Sequence, residues 1–429
     1  MWFTINIVKI KETIKIFKFD EEVNLLSEKA FKRCKNNFLS IEEISEYNQK
    51  KVLKAFIDCK VSESHFLSTT GYGYNDRGRD KLDEVFARIF GAEDALVRHN
   101  IVSGTHALTI ALFGLLRPFD KVLFITGRPY DTLNDVINSG QNDYGSLNDF
   151  KIECDYIDYD ENLDLYKEKI QNKLKTKYKL IYIQRSRGYT LRESLSIEKI
   201  ETIINWVKNL SPDSIIMVDN CYGEFVEKFE PTQVGADIIV GSLIKNPGGA
   251  IAPTGGYIAG KKTLIEKCAC RLTSPGMGKE VGASLGINRE LFMGIYNSPH
   301  VVSEAIKTAV FTASVFELMG YEVFPKYNEK RCDIVQSVIL NDEKSMINFC
   351  KGIQAGSPVD SFVSPEPWDM PGYNDKVIMA AGTFTMGSSL ELSADGPLRP
   401  PYAVWVQGGI NFYTARIGIM QAVQKVLKG

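Results

Sequence analysis

Four short apolar runs, separated by stretches of helical spacing, constrain this chain more than any other feature. They are Val122-Leu123-Phe124-Ile125, Leu180-Ile181-Tyr182-Ile183, Ile215-Ile216-Met217-Val218 and Ile238-Ile239-Val240. Runs this short, and apolar at every position, read as strands buried on both faces. Ser196 can cap a helix carrying Ile197, Ile200, Ile203, Ile204, Val207 and Leu210. Leu82, Val85, Phe86, Ile89 and Phe90 recur at i, i+3, i+4, i+7 and i+8, and Gly91 is a natural stop. Strands alternating with helices imply an α/β fold with a mostly parallel sheet covered on both faces.

The chain has 429 residues, 44% hydrophobic and 24% charged, enough for two packed domains. The pattern divides it into a helical arm (1–65), a large domain (66–300) and a smaller α+β domain (301–429). In the last, a helix is expected over Val301–Met319, a strand at Tyr321–Phe324, a Pro-rich loop at Ser364–Pro371 and a closing helix near Ile417–Leu427. A net charge of −2 gives no sign of a nucleic-acid or anionic-membrane partner. No apolar run approaches the roughly 20 residues that a spanning helix needs. The apolar start, Met1 to Val8, has no basic segment before it and no small-residue cleavage site after it. Eight scattered cysteines without C-x-x-C spacing, and four histidines, give no metal-ligand pattern and no disulfide scaffold. The cytoplasm is the expected compartment.

Open α/β sheets bind ligands beyond the carboxyl ends of their strands. Here each run leads to a residue with chemistry to offer. Tyr130 follows the first, and an aromatic there can stack on a planar group. Gln184, Arg185 and Arg187 follow the second, with Gln184 favoured as a polar contact. Asp219 ends the third, where an ionised carboxylate needs a cationic partner such as a pyridinium nitrogen. Lys245 closes Ser242-Leu243-Ile244-Lys245 after the fourth. Desolvation there is expected to lower its pKa and make the amine a nucleophile. Upstream, Val102-Ser103-Gly104-Thr105-His106-Ala107 opens a helix, and its free N–H groups and dipole suit a phosphate. Together these residues predict pyridoxal phosphate. Lys245 carries it as a Schiff base, Asp219 holds its ring nitrogen, and Ser103, Gly104, Thr105 and Ser242 bind its phosphate. Tyr130 stacks on the ring and Gln184 meets the 3-oxygen. Gly248 and Gly249 let backbone pass close by. His106 either lies against the cofactor or faces solvent, and Cys221 is assigned to packing.

This order resembles fold-type I pyridoxal-phosphate enzymes, and among them the Cys/Met-metabolism group. Val218-Asp219-Asn220 and Ser242-Leu243-Ile244-Lys245 match that group's strand-borne acid and its Ser-x-x-Lys. The phrases GYGYNDRGRDKLDEVFARIFGAEDALVRHNIVSGTHAL, VDNCYGEF, GSLIKNPGGAIAPTGGYIAG, GMGKEVGASLG and GPLRPPYAVWVQGG are similar to the bacterial aluminium-resistance or methionine γ-lyase-like family. The resemblance implies a large domain on a mostly parallel, seven-stranded-type sheet. It also implies a homo-oligomer, a dimer of active-site-sharing subunits assembled into a tetramer. By analogy Tyr74 and Arg77 reach the cofactor phosphate across an interface, with Tyr72 and Arg79 as the alternative register. The segment around Gln184 and the small domain depart from the group. For the substrate carboxylate the candidates are Arg399 and Arg416, with Arg399 favoured. The activity implied is carbon–sulfur lyase action on a sulfur amino acid, by β- or γ-elimination to a 2-oxo acid, ammonia and a thiol. An aldolase, an aminotransferase or a non-catalytic metal-tolerance protein are the rival readings.

Overall fold

The computed structural model describes residues 16–140, 144–370 and 375–429. The apolar start of the chain and Pro371, which ends the expected Pro-rich loop, lie outside the described residues. Helix α1 (Glu21–Asp58) opens the described chain, with Glu21 and Glu22 in its first turn against the helix dipole. Helix α2 (Arg77–Phe90) is capped by Asp76, whose carboxylate accepts the Arg79 N–H, and is stopped by Gly91 at φ 63°. The large domain then runs β1 (Asp94–Arg98), α3 (Gly104–Leu115), β2 (Lys121–Phe124), α4 (Asp131–Ile137), β3 (Glu153–Tyr156), α5 (Leu163–Lys173), β4 (Leu180–Gln184), α6 (Ile197–Leu210), β5 (Ile215–Asp219), β6 (Ile238–Ser242), β7 (Gly256–Gly260) and α7 (Lys262–Leu272). Helix α8 (Asn288–Leu318) leads to β8 (Glu322–Phe324), β9 (Gln336–Ile339), α9 (Glu343–Ala355), β10 (Val377–Ala380), β11 (Ser393–Pro397), β12 (Ala403–Gln407) and α10 (Phe412–Leu427).

The large sheet has seven strands in the order β1-β7-β6-β5-β4-β2-β3. Its pairs are parallel except where β7 meets β1 and β6. The four runs that announce the sheet are its centre, and β4, β5 and β6 are buried at every residue. Their register brings Gln184 opposite Asp219 and Asp219 opposite Val240, so β4 and β5 end level and β6 runs on to Ser242. The small domain holds an antiparallel sheet of five strands, β10-β11-β12-β9-β8.

Two features depart from the sequence reading. The boundary expected at residue 300 falls inside α8, which continues through Pro299 and belongs to both domains. The arm is not a free extension, because α1 lies along α8. Cys34 meets the Val310 carbonyl, and the Arg33 guanidinium meets Glu317 at 3.0 Å. Among the described residues no helix is long and apolar enough to cross a membrane.

Candidate active site

The neighbouring ends of β4, β5 and β6, with the start of α3 beside them, form one polar edge. Asp219 is 3% exposed, and both its oxygens are engaged. Oδ1 accepts the Cys221 N–H at 3.1 Å, and Oδ2 accepts the Tyr182 hydroxyl at 3.1 Å. Two donors hold the buried carboxyl group aimed, which is what a partner for a cationic ring nitrogen requires. The neighbouring Asn220 is held by Arg185 (2.8 Å) and by Glu230 (3.0 Å), so the Asp-Asn pair is fixed from below. Arg185 is wholly buried against Glu227 at 3.0 Å and Glu230 at 3.7 Å. It is therefore not free for a ligand, although its place after β4 made it a candidate.

At the start of α3, Ser103 caps His106. The Gly104 and Thr105 N–H groups, in the first turn, have no carbonyl one turn back to meet. Gly104 lies against the end of β6: a Cβ there would sit 3.5 Å from Ser242 Cβ and 3.6 Å from Cys221 Sγ. The Ser242 hydroxyl is buried and has no partner. Thr105 Oγ1 meets the Tyr130 hydroxyl at 3.1 Å, which brings the stacking aromatic to the same turn. His106 turns its Nδ1 to the Val102 N–H at 3.2 Å, and burial lowers its pKa. The ring is thus tied back to its own turn.

Lys245 follows β6 on a turn that only glycine permits. A Cβ at Gly248 would stand 1.5 Å from the Leu243 carbonyl oxygen, and Gly249 has φ 56°. The amine is half-buried and lies 4.0 Å from the centre of the Tyr222 ring. Tyr222 is held at φ 70°, a left-handed conformation that costs a residue with a Cβ about 1–2 kcal/mol. Such strain is characteristic of functional edges. The expected lowering of the Lys245 pKa is corrected here. Burial does push the ammonium down, but Cys221, Tyr222, Asp219 and Tyr130 face it and hold its pKa well above the usual lysine range. Burial in turn pushes the Tyr130 phenol up, with Asp219 adding to the effect. The Cys221 thiol is likewise raised well above its ordinary value, so it is no thiolate nucleophile.

Gln184 is buried, with Nε2 on the Ser186 carbonyl at 2.9 Å and Oε1 unpartnered. Four side chains at this edge escaped the sequence reading: Tyr182, Tyr222, Ser388 and Ser389. Tyr182 sat inside an apolar run, and only the register of β4 against β5 reveals its hydroxyl. Ser388 and Ser389 have buried, unpartnered hydroxyls, and the Ser389 N–H donates to the Ile244 carbonyl at 3.3 Å. 

The remaining candidates lie elsewhere. Tyr74 and Arg77 are exposed, and Tyr72 packs its ring 5.7 Å from that of Tyr74. Arg79 is buried and donates to Gly73, Gly282 and Asp80, so in the alternative register no free guanidinium remains. Arg399 pairs with Asp375 at 2.8 Å, and its charge reaches Asp131, next to Tyr130. Arg416 bonds Ser27 at 2.9 Å and Glu28 at 2.8 Å, with Phe31 and Phe311 against its guanidinium. Its fork is taken up in fastening α10 to α1. Among the described residues no group of three or more His, Cys, Asp or Glu is set to hold a metal ion.

A seven-stranded sheet with one reversed strand, a buried acid and a lysine at its edge define the class: the fold is that of pyridoxal-phosphate enzymes of fold type I. The Escherichia coli pyridoxal-phosphate-dependent protein YhfS shares it with a TM-score of 0.59 at 14% identity, covering 90% of this chain and 96% of that one. The Methionine gamma-lyase family profile matches residues 23–427, and the chain belongs to that family. It is 50% identical over 389 residues to YnbB of Bacillus subtilis (strain 168), covering 90% of this chain and 92% of that one. A carbon-sulfur lyase involved in aluminum resistance from Clostridium novyi NT superposes with a TM-score of 0.92 at 50% identity, covering 97% and 98% of the two chains. A Listeria monocytogenes structure, named provisionally as a cystathionine beta-lyase involved in aluminum resistance, gives 0.92 at 50% identity, covering 94% and 100%.

Proposed function

We propose that this chain is a pyridoxal-phosphate-dependent carbon–sulfur lyase acting on a sulfur-containing amino acid, releasing a 2-oxo acid, ammonia and a thiol. The observation that carries the reading is the convergence of Lys245, Asp219 and the Gly104 turn, with the unpartnered Ser242 hydroxyl between them. The residues present fit the cofactor. Ser103, Gly104, Thr105 and Ser242 would take its phosphate, Asp219 its ring nitrogen and Gln184 its 3-oxygen, while Tyr130 would lie on its face. When bound, the cofactor supplies an electron sink for a carbanion at the substrate α-carbon.

The protein's own groups do the rest. Tyr182 and the Cys221 N–H hold the Asp219 carboxyl group in place with one hydrogen bond to each oxygen. Lys245, whose amine lies against the Tyr222 ring at this edge, would hold the cofactor through Nζ and would move the proton at the substrate α-carbon. Because the groups that face it hold its pKa high, Nζ must give up a proton before it can act as a nucleophile. Ser388 and Ser389 close the edge from the small domain and exclude water beside Ile244. Arg399, half-exposed on the Tyr130 side, draws the anionic end of the substrate toward the cleft. Two copies of the chain complete the site, with Tyr74 and Arg77 of each serving the other. The exposed Leu67, Tyr72, Tyr74 and Leu285 support that assembly, because apolar groups grouped on one face favour a partner.

The test is Lys245→Ala. Turnover of L-methionine and L-cystathionine to 2-oxo acid and the visible absorbance of lysine-bound pyridoxal phosphate are both expected to vanish. Survival of either in the variant sinks the assignment.

A further inference from the structure

The loop after β4 carries a charge imbalance that the reading above leaves unused. Arg187, Arg192 and Arg331 converge on one carboxylate, Asp333. Asp333 is already spent: Oδ2 accepts the hydroxyls of Ser186 (2.7 Å) and Ser194, and Oδ1 accepts the Val335 N–H at 3.0 Å. None of the three arginines forms an ion pair with it among the described residues. Arg192 is satisfied by the main-chain carbonyls of Glu193, Gln184 and Ser186. Arg187 and Arg331 are not. They are 2% and 8% exposed, and Arg187 Nη1 and Arg331 Nε and Nη1 are enclosed without any partner. The bonds they do make are long: Arg187 Nε to Ser194 Oγ at 3.4 Å, and Arg331 Nη2 to the Lys326 and Pro325 carbonyls at 3.3 and 3.5 Å. Burial, and then the positive charge of Arg187, pull Arg331 down to about 10. Two buried guanidiniums with unmet donors are unfavourable unless an anion joins them.

The place of this pair is informative. A Cβ at Gly188, the next residue, would lie 3.3 Å from Gln184 Nε2 and 3.9 Å from Tyr130 Cβ. The ring of Tyr189 stands 5.1 Å from that of Trp405 on β12. The loop therefore runs from the cofactor edge to the small domain.

We propose that Arg187 and Arg331 form an anion subsite between the domains that takes a carboxylate of the amino-acid substrate, Arg187 binding it and Arg331 supplying the second charge. The proposal rests on the amino-acid lyase reading and gives it a recognition element. A planar fork matches a carboxylate with two parallel hydrogen bonds. Arg416, by contrast, is already bound to Ser27 and Glu28, and Arg399 to Asp375.

The test compares two ligands on the pyridoxal-phosphate-loaded protein by absorbance titration: L-methionine, and 3-(methylthio)propylamine, which keeps the chain and the amine but has no carboxylate. Arg187→Gln is expected to weaken L-methionine by about tenfold or more and the amine by less than about twofold. Arg187→Lys should recover part of the loss. Equal weakening of both ligands, or none for L-methionine, overturns the proposal. Without ligand, Arg187→Gln is expected to melt no lower than the wild type, because it removes a buried like charge; a lower midpoint would make Arg187 structural. Calorimetry on protein stripped of cofactor separates this proposal from the lyase reading. Butanoate should bind the wild type and not Arg187→Gln, even if no 2-oxo acid is ever formed. Absence of butanoate binding, or binding of sulfate alone, overturns the subsite.

Discussion

The sheet edge around Lys245 and the face around Tyr74 are built on opposite plans. At the edge nearly every functional group is buried and already oriented: Asp219 by two donors, Asn220 by Arg185 and Glu230, and Tyr130 by Thr105. At the face, Tyr72, Tyr74 and Arg77 project from a loop and a first helical turn and are exposed among the described residues. The edge is oriented within one chain. On the reading proposed above, the face serves a second copy. Groups fixed in advance cost no reorganisation when a ligand arrives. Groups that wait for a partner tie activity to assembly.

This contrast can be broken at several points. The severest blow falls at the edge. Asp219→Asn keeps the shape but removes the charge that faces the ring nitrogen, and kcat is expected to fall roughly a thousandfold. Single-turnover kinetics on the loaded protein would show it, and a loss under tenfold would mean that the acid is not the ring partner.

Beneath the edge, Glu224 is wholly buried, with Oε1 accepting the Tyr257 hydroxyl at 2.7 Å. Burial raises its pKa to about 8, against the opposing hydrogen bond from Tyr257. The folded protein therefore holds this proton where the unfolded chain, near 4.3, has lost it. Stability from this group is present at low pH and is lost as pH rises through that window, by roughly a few kcal/mol near pH 8. Glu224→Gln should flatten the fall between pH 6 and pH 8 in urea midpoints. Parallel curves for the two proteins would refute it.

At the face the expected effects are milder. Arg77→Ala should weaken pyridoxal phosphate retention by about tenfold while leaving the subunit fold intact. Mixing Arg77→Ala with Lys245→Ala should restore activity, to about a quarter of wild type for random pairing across a two-fold interface, because one site in each hybrid is whole. No recovery on mixing would show that each chain serves only itself. The smallest effect is expected at neither region: Arg416→Gln should cost about 1 kcal/mol of stability and leave KM unchanged. A raised KM would return Arg416 to the substrate.

The edge was legible because each central strand is announced by an apolar run and ends where its chemistry begins. The strands that flank it were not. β7 reads Gly-Tyr-Ile-Ala-Gly, a glycine-rich pattern that suggests a loop. Its glycines are there for close packing: a Cβ at Gly260 would strike the Asp237 carbonyl oxygen at 2.3 Å. Pro299 hid the first half of α8, since proline usually ends a helix. Arg416 gave no sign that α1 would lie across it. The expected Lys245 pKa differs from the one found because desolvation can be read from an apolar run, whereas the groups that face the amine come from two separate segments, one after β2 and one at the end of β5.

Helix α8 touches the lysine turn directly. The Ser298 hydroxyl donates to the Asn246 carbonyl, and a Cβ at Gly294 would stand 2.5 Å from the Gly248 carbonyl oxygen. The same helix carries the small domain at its far end. Any tilt of that domain thus levers the turn that holds the amine, with no slack in the linkage. A methyl group added at Gly294 would therefore have to displace the turn that carries Lys245.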